Sequence, residues 1–218
     1  MTPLRIAVIG AAGMSGSRIV AEARARGHEV TAVGRDAARL AGLGEGVRVR
    51  TGDASDPGDV ARLAAGQDVV VQATRPAFGR EQDAAVVMKA VLAGLAGSGV
   101  RLTVVGGAGS LVVPGSGGRL AIDDPSVVPP QYREFAQASN EQYEVCRTAG
   151  AEVDWTYLSP SAVFEPGERT GRFRTGTDEL LVDADGRSSI SAEDAAIALL
   201  DEIERPRFTG GRRFTVGY

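Results

Sequence analysis

The 218-residue chain has a single cysteine, Cys146, and a single histidine, His28. One cysteine excludes an internal disulfide framework and suits a reducing compartment. With the lone histidine far away in sequence, neither a zinc site nor a Cys–His nucleophile pair is expected, and no metal is assigned. Cys146 falls in a helical pattern and reads as packing, whereas His28, in Arg26-Gly27-His28-Glu29, reads as a surface turn residue. Long apolar runs are also missing. No stretch approaches the ~20 residues that span a bilayer. The first apolar run, residues 4–9, is too short for a signal peptide and enters a glycine turn directly. A cytoplasmic protein without a membrane partner is therefore expected. Basic charge is scarce too: 24 Lys and Arg stand against 28 Asp and Glu, for a net charge of −4. That balance, with the basic residues scattered, argues against a nucleic-acid partner, which needs a clustered cationic face. The short runs Arg205-Pro206-Arg207 and Arg212-Arg213 read as solvated surface.

What is present is a globular composition, 43% hydrophobic and 24% charged, in a length that suits one domain better than two. Short β-branched runs at residues 4–9, 29–33, 47–51, 68–72, 101–105 and 154–158 read as buried parallel strands. Between them lie helical patterns at 15–26, 82–96 and 131–148, a short helix capped by Asp36, and one opened by Asp56-Pro57. A hairpin is expected around 180–182 and 187–190, then a helix started by Ser191-Ala192-Glu193-Asp194 and a closing strand at 213–216. Strands alternating with helices predict an α/β fold: one Rossmann-type domain with a doubly wound parallel sheet. Two long segments, about 106–130 and 160–176, are left as loops over the substrate.

After the first strand comes Gly10-Ala11-Ala12-Gly13-Met14-Ser15-Gly16, entering a helix. Glycines there let the backbone turn tightly and approach a pyrophosphate, and the helix N-terminus offers free N–H groups to it. The strand–turn–helix context turns a weak motif into a dinucleotide site. An acid after the second strand would accept the ribose hydroxyls of NAD, but Arg35 stands in that place. A guanidinium matches a 2′-phosphate, so NADP(H) is expected over NAD(H). Asp36 follows and either blunts that preference or caps a helix. The remaining strand ends supply Asp53 and Ala54 for the adenine edge, Ala73, Thr74 and Arg75 for the riboses, and Gly106 and Gly107 near the nicotinamide.

These residues resemble the atypical short-chain dehydrogenase/reductases, in the NAD(P)H-binding group of NADH-flavin-reductase-like proteins and biliverdin-IXβ reductase. The carriers are the glycine loop, Gly34-Arg35, Gly52-Asp53-Ala54 and Val104-Val105-Gly106-Gly107-Ala108-Gly109-Ser110. Further downstream they are Trp155-Thr156-Tyr157-Leu158-Ser159-Pro160-Ser161, Pro166-Gly167-Glu168-Arg169-Thr170-Gly171 and Ile190-Ser191-Ala192-Glu193-Asp194-Ala195-Ala196. The wider superfamily works with Tyr-x-x-x-Lys, and the chain departs from it: Tyr132 is followed four positions later by Ala136, and Tyr143 by Arg147. A Tyr143/Arg147 acid is one reading; packing of Tyr143 is the other. A hydride acceptor that needs no strong protein acid fits better, so the expected activity is NADPH-dependent reduction of a flavin or other planar conjugated acceptor. Ser110 is the candidate weak proton donor, or else a hydroxyl that caps its glycine loop. Phe78, Leu111, Val112, Ser161, Val163 and Phe164 are candidates for the acceptor pocket, with Arg169 or Arg172 meeting an acidic group and Phe164 equally able to pack in the core. A non-catalytic NADP(H) sensor of the NmrA type and a pathway-specific reductase or isomerase are the alternatives. The assembly is expected to be a monomer or homodimer.

Overall fold

A computed structural model describes residues 2–218. Its main sheet has eight strands in the order β3-β2-β1-β4-β5-β6-β10-β8. These are β1 (Arg5–Ile9), β2 (Glu29–Gly34), β3 (Arg48–Thr51), β4 (Val69–Gln72), β5 (Arg101–Val105), β6 (Trp155–Pro160), β8 (Arg174–Gly176) and β10 (Arg212–Gly217). Seven run parallel, while β8 pairs antiparallel with β10 at the edge. A separate parallel pair joins β7 (Val163–Glu165) to β9 (Ser189–Ser191). The helices are α1 (Met14–Ala25), α2 (Ala37–Ala41), α3 (Pro57–Ala64), α4 (Asp83–Leu95), α5 (Arg133–Ala149) and α6 (Ala192–Glu204).

Parallel strands need crossover helices, and those helices cover both faces of the sheet. In β1, Ile6 and Val8 pack with Ile19 of α1 and Leu199 of α6. Ala7 and Ile9 point the other way, into a layer with Val60 of α3 and Met88 of α4. Each aliphatic side chain buried this way contributes about 1.5–3 kcal/mol, which is why these strands read as unbroken apolar runs. The helix starts follow local chemistry. Asp36 accepts from the Ala38 amide, Asp56 from those of Gly58 and Asp59, and Ser191 from that of Asp194.

Several expectations need correcting. No hairpin forms across 180–190: Asp183 and Arg187 close a turn, and β9 pairs with β7 instead. The segment 160–176, expected as a loop, carries β7 and β8, whereas 106–130 is a loop with a 3-10 turn at Ala121–Asp123, its Leu111 and Ala121 fully buried. His28 is buried, not a surface residue. Its Nδ1 accepts from the Leu4 amide and its Nε2 meets Glu204, which fixes the Nε2–H tautomer. Arg213 is buried as well, paired with Asp178. Cys146 is buried in α5, and its surroundings push the thiol up to about 12 by desolvation. No helix among the described residues is long and apolar enough to cross a membrane.

Candidate active site

The strand order reverses between β1 and β4, and the crevice beyond their carboxyl ends is where such sheets hold ligands. The glycine loop lies there. The amides of Gly10 and Ala11 both donate to the Val33 carbonyl, and the Gly13 amide donates to the Gly10 carbonyl at 2.9 Å. Gly10 has φ +84°, and a Cβ on it would lie 2.7 Å from the Ala73 carbonyl oxygen. At Gly16 a Cβ would come within 2.2 Å of the Gly10 carbonyl oxygen. At both places the missing side chain lets the turn pack directly on the end of β4 and on the start of α1. Helix α1 then begins with Gly13 as its cap, with no side-chain hydrogen bond and no acid in the first turn. Its end therefore retains free N–H donors for an anion. A dinucleotide pyrophosphate fits this uncapped helix end on charge, and Ala12, Met14 and Ser15 of the same turn are each at least partly exposed.

Arg35 emerges from the end of β2, exposed and without an ion-pair partner among the described residues. Asp36 beside it is engaged as the α2 cap, 2.9 Å from the Ala38 amide, and is thus partly taken up away from a ribose. Hydrogen bonds from the Ser55 amide and hydroxyl hold Asp53 below the usual carboxylate range, with a smaller contribution from the charge of Arg35. Ala54 is nearly buried beneath it. At the end of β4, the fully buried Gln72 clamps Thr74, accepting from its amide at 2.6 Å and donating to its hydroxyl at 2.9 Å. That clamp fixes the backbone of Ala73, Thr74 and Arg75.

Beyond β5 the backbone runs close to neighbouring elements. A Cβ on Gly106 would strike the Tyr157 ring at 2.1 Å, and one on Gly107 would lie 2.8 Å from the Ser139 hydroxyl. Ser110 Oγ accepts from Arg213 Nη1 at 2.8 Å, and the same nitrogen reaches the Ser110 carbonyl at 3.3 Å. Arg213 also donates to Asp178 at 2.5 Å and lies over the Tyr143 ring, 4.6 Å from its centroid. Tyr143 is wedged against Trp155 and Tyr157, and burial raises its pKa. Tyr143 is half-buried there, with Arg147 6.0 Å from its ring centroid and paired to Glu144.

The candidate acceptor residues do not gather in one place. Leu111 is fully buried, and Ser161 is buried with its hydroxyl on the Val216 carbonyl, so neither presents a stacking surface. Phe164 packs against the core beside Ile19 and Ala195. Val163 is partly exposed on β7, and Val112 forms bridges to Leu120 and Glu179. Arg169 is bound to Glu22 by two hydrogen bonds of 3.0 Å, which takes it away from a substrate; Arg172 is exposed. Phe78 alone stands out at the strand ends, 70% exposed, with its ring against Phe135 of α5. Sequence reasoning missed Phe135. An aromatic in the first turn of the helix that faces the strand ends was the available signal.

A model of a family described as NAD(P)H-binding matches residues 10–206. A Bacillus subtilis (strain 168) relative, the uncharacterized protein YwnB, is 37% identical over 219 residues, spanning 98% of each chain. A solved Burkholderia pseudomallei structure, described as a putative exported protein, is 44% identical with a TM-score of 0.86, over 99% of this chain and 100% of that one. Another, from Streptococcus pneumoniae TIGR4 and described as a putative NADH-flavin reductase, is 29% identical with a TM-score of 0.85, over 98% and 99% of the two chains.

Proposed function

The chain belongs to this NAD(P)H-binding family, and from that premise we propose that it is an NADPH-dependent oxidoreductase acting on a flavin or another planar conjugated acceptor. The observation that carries the reading is an intact cradle with no tyrosine acid beside it. Gly10, Gly13 and Gly16 let the turn, the start of α1 and the end of β4 close up tightly around an uncapped helix end, while Tyr143 is half-buried against aromatic rings with its proton held more tightly than usual. Bound in the cradle, the reduced nicotinamide supplies a hydride.

The chain's own residues then bind, orient and protonate. The α1 amides meet the pyrophosphate, and Arg35 meets the 2′-phosphate, a pairing worth more than any contact it makes to a hydroxyl. Asp53, Ala54, Ala73 and Thr74 line the adenosine side, and Gly106 and Gly107 let the backbone approach the nicotinamide side. Ser110 uses an oxygen lone pair to accept from Arg213, which leaves its own hydrogen available to an acceptor. The adjacent guanidinium would stabilise the alkoxide left behind. This is a weak donor, sufficient for an acceptor that also takes its proton from water. The partner is a small molecule, neither nucleic acid nor membrane, and the protein works as a monomer or homodimer in the cytoplasm, where NADPH is found.

Titration of the purified protein with NADPH and NADH, with and without Arg35→Ala, tests the cofactor half. NADPH is expected to bind about tenfold or more tightly than NADH, and the substitution to erase the difference. Loss of the reduced-nicotinamide absorbance on adding FMN tests the other half. Tight NADPH binding with no consumption by flavins, quinones or biliverdin would instead select the sensor reading, which the raised pKa of Tyr143 also suits.

A further inference from the structure

Three side chains meet where β4 ends and α5 begins. Phe78 lies between β4 and α4 and stands edge-on to Phe135, with ring centroids 4.5 Å apart and planes at 89°. The Arg75 guanidinium lies over the same Phe135 ring, 5.1 Å from its centroid. Phe135 is thereby fixed between a ring and a cation, while Phe78 stays 70% exposed. Arg75 has no ion-pair partner among the described residues, although its neighbours do: Arg80 pairs with Asp83, and Arg133 with Asp123. Its backbone is also anchored, one residue beyond the Gln72–Thr74 clamp.

This arrangement has a definite chemical meaning. A guanidinium stacked on a ring loses water from one face but keeps its in-plane N–H fork, which matches the paired oxygens of a phosphate or carboxylate. The phenyl beside it offers an apolar face to a flat ring. Stacking surface and anion fork therefore stand side by side, in a chain whose net charge is negative.

Resting on the reductase reading, we propose that Arg75, Phe78 and Phe135 form the acceptor-recognition wall. They select a planar acceptor that carries an anionic phosphate or carboxylate over its neutral counterpart. Arg75 then serves the acceptor, not the cofactor riboses. Phe78 binds the ring system whatever its charge, and Phe135 holds both in place.

FMN and riboflavin share one ring system and differ by a phosphate, which makes them the probes. Flavin fluorescence is titrated with wild type, Arg75→Ala and Phe78→Ala in the presence of NADP+, alongside NADPH affinity and thermal midpoint for each protein. Wild type is expected to bind FMN about tenfold more tightly than riboflavin, as one charge-assisted contact would give. Arg75→Ala should bring the two flavins within about twofold and leave riboflavin and NADPH affinity in place. Phe78→Ala should weaken both flavins alike, by about fivefold, for a lost stacking face. Equal affinity of wild type for both flavins, with both consuming NADPH, overturns the anion selection and leaves the reductase standing. Loss of NADPH affinity in Arg75→Ala with an unchanged flavin ratio returns Arg75 to the cofactor and overturns it too. Absence of both flavin binding and NADPH consumption in wild type overturns the inference together with the reading beneath it.

Discussion

Helices α1 and α6 pack against each other on one face of the sheet, and their amino ends are finished in opposite ways. Helix α1 starts from Gly13, with no side-chain cap and no acid in its first turn. Helix α6 starts from Ser191, whose oxygen accepts from the Asp194 amide, and it carries Glu193 and Asp194 in its first turn. Asp194 is fully buried and accepts from the Thr170 hydroxyl, the Gly171 amide and the Tyr218 hydroxyl. Glu193 takes Arg18 of α1 and the Gly167 amide. Both ends present free N–H groups and a positive dipole. One is capped by the Ser191 hydroxyl and flanked by two carboxylates of its own first turn, which hold the 166–172 loop and Tyr218 in place. The other is left open, and a ligand's negative charge is what it lacks.

Removing the closure should have the largest effect. Asp194→Ala removes the acceptor shared by the Thr170 hydroxyl, the Gly171 amide and the Tyr218 hydroxyl and strips the charge from a helix start, at a cost of about 1–2 kcal/mol, because Thr170 and Gly171 reach solvent and Tyr218 keeps its bond to Ser191. Urea melts should show that loss. NADPH affinity of the folded fraction should stay within about twofold, because α1 keeps its own end. A variant that melts like wild type would mean that Asp194 does not anchor the 166–172 loop at the start of α6.

Giving α1 a closure of its own is the second test. At Gly13 the backbone is extended (φ −80°, ψ 174°), which any residue tolerates, and a Cβ would lie 3.1 Å from the Gly10 carbonyl oxygen, a tight but adjustable contact. Gly13→Asp should then keep stability within about 1 kcal/mol, since aspartate is a good cap. It should weaken NADPH at least about tenfold, because a carboxylate would occupy the place of the phosphates. Unchanged affinity would place the pyrophosphate elsewhere.

The contrast also separates what the sequence shows from what it conceals. The glycine loop, the alternation of strands and helices, and the caps Asp36, Asp56 and Ser191 are local patterns, set by neighbours a few positions away. They gave the fold and the cofactor cradle. Arg213 on Ser110 is a contact across 103 positions, and Arg169 on Glu22 spans 147. No periodicity carries such pairings, so both arginines read as free charges until the fold closes. His28 was misread for the same reason: its partner Glu204 lies 176 positions away. The acceptor pocket suffered most, because the segment 106–130 packs its apolar residues inward, where composition alone suggested an open roof.

The smallest effect concerns the opposite ends of the same two helices, where the seal is made of charge. Arg26, which caps the end of α1, joins Glu22, Asp201 and Glu204, and Arg169 reaches Glu22 from the 166–172 loop. Burial alone would raise the Glu22 pKa, but the hydrogen bonds from Arg169 and Arg26 outweigh it and leave the group below its ordinary value of 4.5. A carboxylate with a depressed folded pKa adds stability that is present above the unfolded value and fades as pH falls through the folded one. Arg169→Ala removes part of that depression. At neutral pH the variant should be less stable by about 1 kcal/mol or less, since Arg169 itself is largely exposed. The two stability curves should converge as pH drops below about 4.5. A gap that stays constant through that range would assign the loss to packing of the arginine stem, and the carboxylate would then have no part in the seal.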